Sequence, residues 1–258
     1  MSLETSIAAL TTQAGLLMDL PNQVNAAAQA KIAAMGAAYQ GHIAGLAVTA
    51  YVDQVNGLDT NSGAIGSPFR TIDKALALTP RGGLCTVILK SAYTLSAHVI
   101  IDGKDLVLQS DSAVRRALTF ERLLDTSTTP AYRYAASLQL VNGGGITIHG
   151  LTINVPVVDG NWVNYVAAGV PGGLISAMGW MTFGGYKVSL ASCDVNIPAS
   201  PFCAVVQGGI GITSLNVHSL SYTGAITSPN GRLWGGQTNT AGVATNTLSS
   251  LATNLTTI

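Results

Sequence analysis

Apolar side chains in the first fifty residues recur at steps of three and four, which is the spacing of a helical stripe. One stripe runs from position 3 to position 17, and a second runs from position 32 to position 49. Proline lacks the backbone donor of a helical hydrogen bond, so we expect Pro21 to separate two helices. The residues of the two predicted seams are Leu3, Ile7, Leu10, Leu17, Ile32, Met35, Tyr39 and Leu46.

Heptad spacing of this kind is typical of helices that associate through an apolar seam. Each stripe covers only a few turns, and isolated helices of that length are marginal in water. The pattern therefore predicts association between copies of the chain or docking onto a larger particle. The alternative is an amphipathic hairpin that folds against the rest of the same chain.

A period of two replaces the helical spacing beyond residue 80 and predicts strands whose side chains alternate between two faces. Three segments step by two, three, two and two, and they begin at Ile146, Val188 and Ile210, which are 42 and 22 residues apart. A step of three marks a corner, and a repeat of strand, corner and strand is typical of solenoids. We predict an all-β parallel β-helix with a helical N-terminal arm; an antiparallel sandwich would need more regular hairpin turns.

Turn-forming residues fill the stretch from 53 to 63, and the oxygen-rich side chains of Asp53, Asn56, Asp59 and Asn61 fall within it. They could hold calcium, but turns in which side chains bond the backbone explain the same residues. A short helix is predicted next, with Thr71 as its N-terminal cap. Its predicted apolar face consists of Ile72, Ala75 and Leu76.

This stretch resembles the entry module of pectate-lyase-like β-helix proteins, which is common at the start of the β-helix in bacteriophage tailspikes and tail fibres. The residues that carry the resemblance are Tyr51-Val52, Gly57, Asp59, Asn61, Gly63, Pro68-Phe69-Arg70-Thr71-Ile72 and Ala75-Leu76. The resemblance implies a right-handed β-helix with a helix plugging its N-terminal end, and a homotrimer. It also implies a virion-tail protein, made in the host cytoplasm, that binds host-surface polysaccharide.

Together the patterns divide the chain into an anchoring arm, an entry turn with its capping helix, the β-helix and a C-terminal tail. The expected bounds are 1–50, 51–80, 81–230 and 231–258. The arm would dock on tail or baseplate proteins.

Segments 110–137 and 156–182 do not follow the repeat and are predicted to be loops. The tail contains a second stepped set, which predicts either a short trimer seam or a final strand: Leu248, Leu251, Leu255 and Ile258.

Charge is scarce, at 9% of residues with a formal net charge of zero, so the chain lacks the basic field that nucleic-acid binding needs. Its three cysteines are an odd number in apolar runs, which favours buried thiols over a disulfide framework. We expect no signal peptide at the N-terminus. Polar Gln40 and His42 and several glycines argue against membrane insertion at 32–50.

Candidate chemistry is sparse, so an enzyme is the less favoured class. A glycoside hydrolase would need two carboxylates flanking the bond, and the best available pair is Asp159 with Asp194. The histidines are scattered, and we predict no metal or cofactor. Four aromatic residues could stack on sugar rings or pack between subunits: Trp162, Tyr165, Trp180 and Trp234.

The leading expectation is a fibre or tailspike subunit that attaches the virion to host glycan. A polysaccharide depolymerase and a purely architectural baseplate adaptor are the alternatives, and the missing signal peptide disfavours a secreted adhesin or lyase.

Overall fold

The computed structural model describes residues 2–125, 132–157, 173–177, 185–199, 201, 203–207, 212–224, 234–235 and 251–253. Within it the chain divides into two compact units, Met1–Gly45 and Leu46–Ile258. The first unit is a single helix, and the second consists mostly of strands in parallel sheets.

Helix α1 spans Leu3–Gly45 without a break. Ser2 precedes it as a cap, since its hydroxyl oxygen accepts from the Thr5 amide at 3.3 Å. The break expected at Pro21 is wrong, because this proline lies inside the helix. A proline removes one hydrogen bond of the ladder, at a cost of about 3 kcal/mol, and the bonds on either side can persist. Among the described residues, no helix has the length and hydropathy that a membrane span needs.

The second unit begins five residues earlier than the expected boundary at 50, because strand formation starts directly after Gly45 and Leu46. Its short helix α2 spans Ile72–Leu78. The strands of the first half are β1 Ala47–Val52, β2 Leu84–Leu89, β3 Tyr93–Leu95, β4 Val99–Ser110, β5 Arg116–Phe120, β6 Arg122–Asp125, β7 Tyr132–Ala135, β8 Leu138–His149 and β9 Leu151–Asn154. Those of the second half are β10 Gly173–Ala177, β11 Tyr186–Ala191, β12 Asp194–Ile197, β13 Ala204–Gln207, β14 Ile212–His218, β15 Ser221–Gly224, β16 Trp234–Gly235 and β17 Leu251–Thr253.

Apart from the antiparallel pair β6–β7, the described strands form three parallel stacks in which neighbours come from successive passes of the chain. The long strands β4 and β8 contribute to two stacks of the ten-stranded sheet. In the first stack, the first halves of β4 and β8 are followed by β10, β13 and β16. In the second stack, their second halves lie between β2 on one side and β11, β14 and β17 on the other. The third stack is the five-stranded sheet, ordered β15-β12-β9-β5-β3. Apart from β1 with β2 and β6 with β7, sequential strands do not pair with each other, and the chain moves from stack to stack.

Inward-facing residues of the stacks form one apolar core. Matching positions lie side by side in register, for example Ile146 beside Val188 and Ile148 beside Leu190. The three cysteines are buried and free, as predicted. Burial raises the pKa of each thiol, which keeps it protonated and unreactive: Cys85, Cys193 and Cys203.

A left-handed residue forms the corner between the second and third stacks at the same point of three successive passes. These residues are Gly150, Ser192 and Ser219, with φ of 63°, 53° and 52°. Backbone hydrogen bonds join the corners, from the Gly150 amide to the Ala191 carbonyl at 3.0 Å and from the Ser192 amide to the His218 carbonyl at 2.8 Å. The corner is therefore part of the ladder that stacks the chain.

The short helix and the turn before it form as predicted. Thr71 caps α2 by accepting from the Lys74 amide at 3.3 Å, and Ile72, Ala75 and Leu76 are the buried face. Asp59 holds the cap in place, since its carboxylate accepts from the Thr71 amide at 2.9 Å and from the Thr71 hydroxyl at 2.9 Å. Asp53 accepts from the Val55 and Asn56 amides at 3.1 and 3.2 Å, so both carboxylates serve the turn.

The prediction that 110–137 is a loop is wrong. This segment contains β5, which pairs with β3 and β9, and the antiparallel hairpin β6–β7. Only Leu118 and Phe120 of β5 are buried apolar residues, which is too few to produce a visible alternation. Strand β10 likewise lies within 156–182.

The register predicted for the third repeat is also wrong. Val188 pairs with Leu215 instead of Ile210, so that repeat is 27 residues long and not 22. The step of three from Ile212 to Leu215 is a bulge within β14, and the real corner is the left-handed Ser219. A bulge and a corner both insert one residue, so the apolar spacing alone cannot distinguish them.

Candidate functional site

The seam predicted on the N-terminal helix is exposed within the first unit. Seven of its eight residues lie on α1, and their exposed fractions range from 55% at Ile7 to 77% at Leu3. The eighth, Leu46, was wrongly placed, because it follows the end of the helix. The exposed seam residues of α1 are Leu3, Ile7, Leu10, Leu17, Ile32, Met35 and Tyr39.

The continuity of α1 joins the two predicted seams into one. Pro21, Val24 and Ala28 continue the first stripe at steps of four, three and four, and a further step of four reaches Ile32. One additional step of four is a stutter, which locally unwinds a coiled coil without ending it. The helix therefore carries one apolar line from Leu3 to Tyr39, which is about 54 Å long at about 1.5 Å per residue.

A second candidate site lies on the outward face of the five-stranded sheet, where polar side chains follow one another across the strands. Asn154, Asn196 and Thr223 occupy one row with Thr119, and each pair of neighbours is in register. Hydrogen bonds join the row from strand to strand at 3.1, 2.9 and 3.1 Å. Such rows are the sheet equivalent of stabilising side-chain pairs on a helix.

Asp194 lies in the adjacent row and points outward from the core. Its carboxylate accepts from the Ser221 hydroxyl and forms an ion pair with Arg115. The hydrogen bond from Ser221, followed by the one from Arg115, holds the pKa of Asp194 below its ordinary value. A general acid needs a raised pKa, so this environment disfavours Asp194 as a proton donor. Its predicted partner, Asp159, lies outside the described residues.

A cleft of about 510 Å³ opens beside the polar row, where β5 and β9 end. Polar and charged groups come from Thr119, Glu121 and Arg122, and an apolar wall comes from Val155, Pro156 and Val157. Clefts of about 300–1,000 Å³ with few polar groups on apolar walls are the usual form of small-ligand sites. Sequence reasoning missed this cleft, since its two sides are about 35 residues apart and meet only through the register of β5 with β9.

The side chains of the four aromatic residues that could stack on sugar rings lie outside the described residues. Trp162, Tyr165 and Trp180 lie outside the described residues. Trp234 begins β16, and its side chain also lies outside what the structure describes. Of the four histidines, His149 and His218 are exposed at strand ends, and His42 lies on α1 with its side chain outside the described set.

His98 lies half-buried near the hairpin β6–β7. Its ring stacks on Tyr134 with centroids 5.2 Å apart, and its Nδ1 lies 2.8 Å from the Ser137 hydroxyl. Burial lowers the pKa of His98, so the neutral ring is favoured. Among the described residues, no group of three or more potential metal-ligating side chains comes together.

No family model, curated protein or solved structure matches this chain.

Proposed function

We propose that the chain is a subunit of a bacteriophage tail fibre or tailspike. In this proposal three copies associate through α1, residues 1–50 dock on the tail or baseplate, and the second unit is a right-handed parallel β-helix that meets host glycan. The observation that carries the proposal is the exposed apolar line along the whole of α1.

The exposure of this line supports association. Fully burying one Leu, Ile or Met side chain is worth about 1.5–3 kcal/mol, and the line, which includes Val24, has eight large apolar residues that are more than half exposed. Few charges interrupt the helix, since Glu4, Asp19 and Lys31 are its charged residues. A seam between identical helices buries these side chains without burying a charge.

The strand order supports the β-helix. Parallel pairing within each stack, chain passage from stack to stack and aligned inward residues are the features that a parallel solenoid requires. Strands β16 and β17 extend the pattern into residues 231–258, which favours a final strand over a trimer seam at Leu251.

Light scattering coupled to size-exclusion chromatography tests the assembly. We expect the full chain to elute with the mass of three copies, and Ile7→Lys with Leu10→Lys to shift it toward a monomer. Thr12→Lys is the matched control, since Thr12 lies on the opposite side of the helical repeat from that seam. A monomeric wild-type chain, or equal effects of the seam and control variants, would contradict the proposal.

Incubation with purified bacterial capsular and lipopolysaccharide glycans separates the attachment function from its rivals. A fibre should retain a glycan without creating new reducing ends. New reducing ends, or the ultraviolet absorbance of an unsaturated sugar, would instead indicate a depolymerase. A trimer that retains none of the glycans would favour the architectural adaptor.

A further inference from the structure

The hydrogen bonds along the polar row of the five-stranded sheet all run in one direction. The Thr223 hydroxyl donates to the Asn196 side-chain oxygen at 3.1 Å, and the Asn196 amide donates to the Asn154 side-chain oxygen at 2.9 Å. The Asn154 amide then donates to the Thr119 hydroxyl oxygen at 3.1 Å. Each group accepts on one side and donates on the other, and such chains strengthen their members by mutual polarisation.

The hydrogen-bonded chain ends at Thr119, whose hydroxyl donates to no described residue, including Thr94, its register neighbour on β3. The Thr119 oxygen accepts from Asn154, which leaves its own hydroxyl hydrogen to be donated. Thr119 is half-buried and lines the cleft at the ends of β5 and β9. The residue that ends the hydrogen-bonded chain is therefore also one that lines the 510 Å³ cleft.

The rest of the cleft complements this donor. Glu121 follows two residues after Thr119 and is exposed, so it supplies carboxylate acceptors on the same rim. The opposite wall is apolar, with Val155 buried and Val157 47% exposed. A sugar ring matches this combination, because its hydroxyls both donate and accept while its C–H faces are apolar. The cleft is lined by one carboxylate, that of Glu121, and one guanidinium, that of Arg122, so its charged groups balance and it suits a neutral sugar.

We propose that the cleft formed by Thr119–Arg122 and Val155–Val157 binds a neutral sugar residue. The Thr119 hydroxyl donates to one sugar oxygen, and Glu121 accepts from a sugar hydroxyl. Asn196 and Asn154 are positioning residues, which hold the Thr119 oxygen as an acceptor so that its hydrogen is available. This inference rests on the proposed function, since it names where and which kind of glycan unit the second unit contacts.

Saturation-transfer NMR on the full chain tests the site, with glucose, galactose, mannose, rhamnose and N-acetylglucosamine as neutral probes and glucuronate as the anionic one. Thr119→Val keeps the shape and removes the donor, and we expect it to weaken binding of the best neutral probe about five- to tenfold. Glu121→Gln should weaken it about tenfold, since a hydrogen bond to a charged group is stronger.

Thr223→Val is the matched control at the far end of the same row. It removes the first hydrogen bond but leaves the Thr119 donor, so binding should change less than about twofold. Equal losses in Thr119→Val and Thr223→Val would overturn the proposal, as would tighter binding of glucuronate or no binding of any neutral probe.

Retention of polysaccharide distinguishes the two hypotheses. If wild type and Thr119→Val retain a bacterial glycan equally, the sugar site is wrong and the attachment function stands. If the wild type binds neither glycans nor neutral probes, both fail. Unchanged circular dichroism and thermal midpoints exclude misfolding of the variants.

Discussion

Gln54 closes the free edge of the five-stranded sheet with its side chain. Strand β3 is the last strand of that sheet, so its outer backbone groups would otherwise be unpaired. The Gln54 amide donates to the Thr94 carbonyl at 2.8 Å, and the Gln54 side-chain oxygen accepts from the Thr94 amide at 2.7 Å. One side chain thus copies the two hydrogen bonds of a neighbouring strand, which blocks an edge that invites association.

Gln54→Ala should destabilise the second unit by about 2 kcal/mol, because it removes two hydrogen bonds worth about 1 kcal/mol each. Thr94 is half-exposed, so water can reach its freed groups, and the larger penalty of buried unsatisfied groups does not apply. Gln54→Glu has a distinct signature. Its protonated form can donate to the Thr94 carbonyl and its ionised form cannot, so this variant should lose stability as the pH rises.

Urea unfolding monitored by circular dichroism measures both effects. Gln109→Ala is the matched control, since Gln109 faces outward on β4 and the structure gives its side chain no hydrogen bond to a described residue. The control should lose less than about 0.5 kcal/mol, as for surface changes away from special features. Equal losses in the two variants, or a Gln54→Glu protein whose stability does not depend on pH, would refute the edge-closing role of Gln54.

Three further predictions concern the serines at two corners, Gly144 within β8 and the half-buried His98. Ser192→Gly and Ser219→Gly should each raise the free energy of unfolding by about 0.5–1 kcal/mol, since glycine adopts positive φ without strain; lower values in urea unfolding would contradict this. Gly144→Ala should lower it by more than about 3 kcal/mol, because φ is 98° and a Cβ would lie 2.0 Å from the Lys104 carbonyl oxygen; a thermal midpoint equal to that of wild type would contradict it. Burial lowers the pKa of His98, so the folded state favours the neutral ring and its stability should fall as the pH drops below the ordinary value of 6.5; His98→Asn should weaken that dependence, and an unchanged slope would assign it to other groups.

Capping residues and apolar spacing predicted those parts of the fold that depend on residues close together in the sequence. The Thr71 cap, the buried face of α2 and the inward ladder around Ile146 and Val188 all follow from short-range spacing. The prediction of a helix break at Pro21 was wrong because of the energies involved. A single proline costs about 3 kcal/mol, but a helix of 43 residues is not decided by one position.

Register could not be predicted from the apolar spacing of the repeats. A bulge and a corner both add one residue, and two serines rather than glycines occupy left-handed corners, so the turn chemistry at Ser192 and Ser219 is inconspicuous. Glycine would have marked those corners in the sequence, as Gly150 does for the preceding pass.

The candidate sugar site depends entirely on that register. Thr119 and Asn154 are 35 residues apart, Asn154 and Asn196 are 42 apart, and Asn196 and Thr223 are 27 apart. Because these intervals are unequal, no fixed repeat aligns the four residues, and each alone reads as an ordinary surface residue. The connections between the stacks differ in length, and this variation does not break the row. The polar row is therefore a property of strand pairing, and a shift of one residue in β12 would move Asn196 to the inner face and break the chain that ends at Thr119.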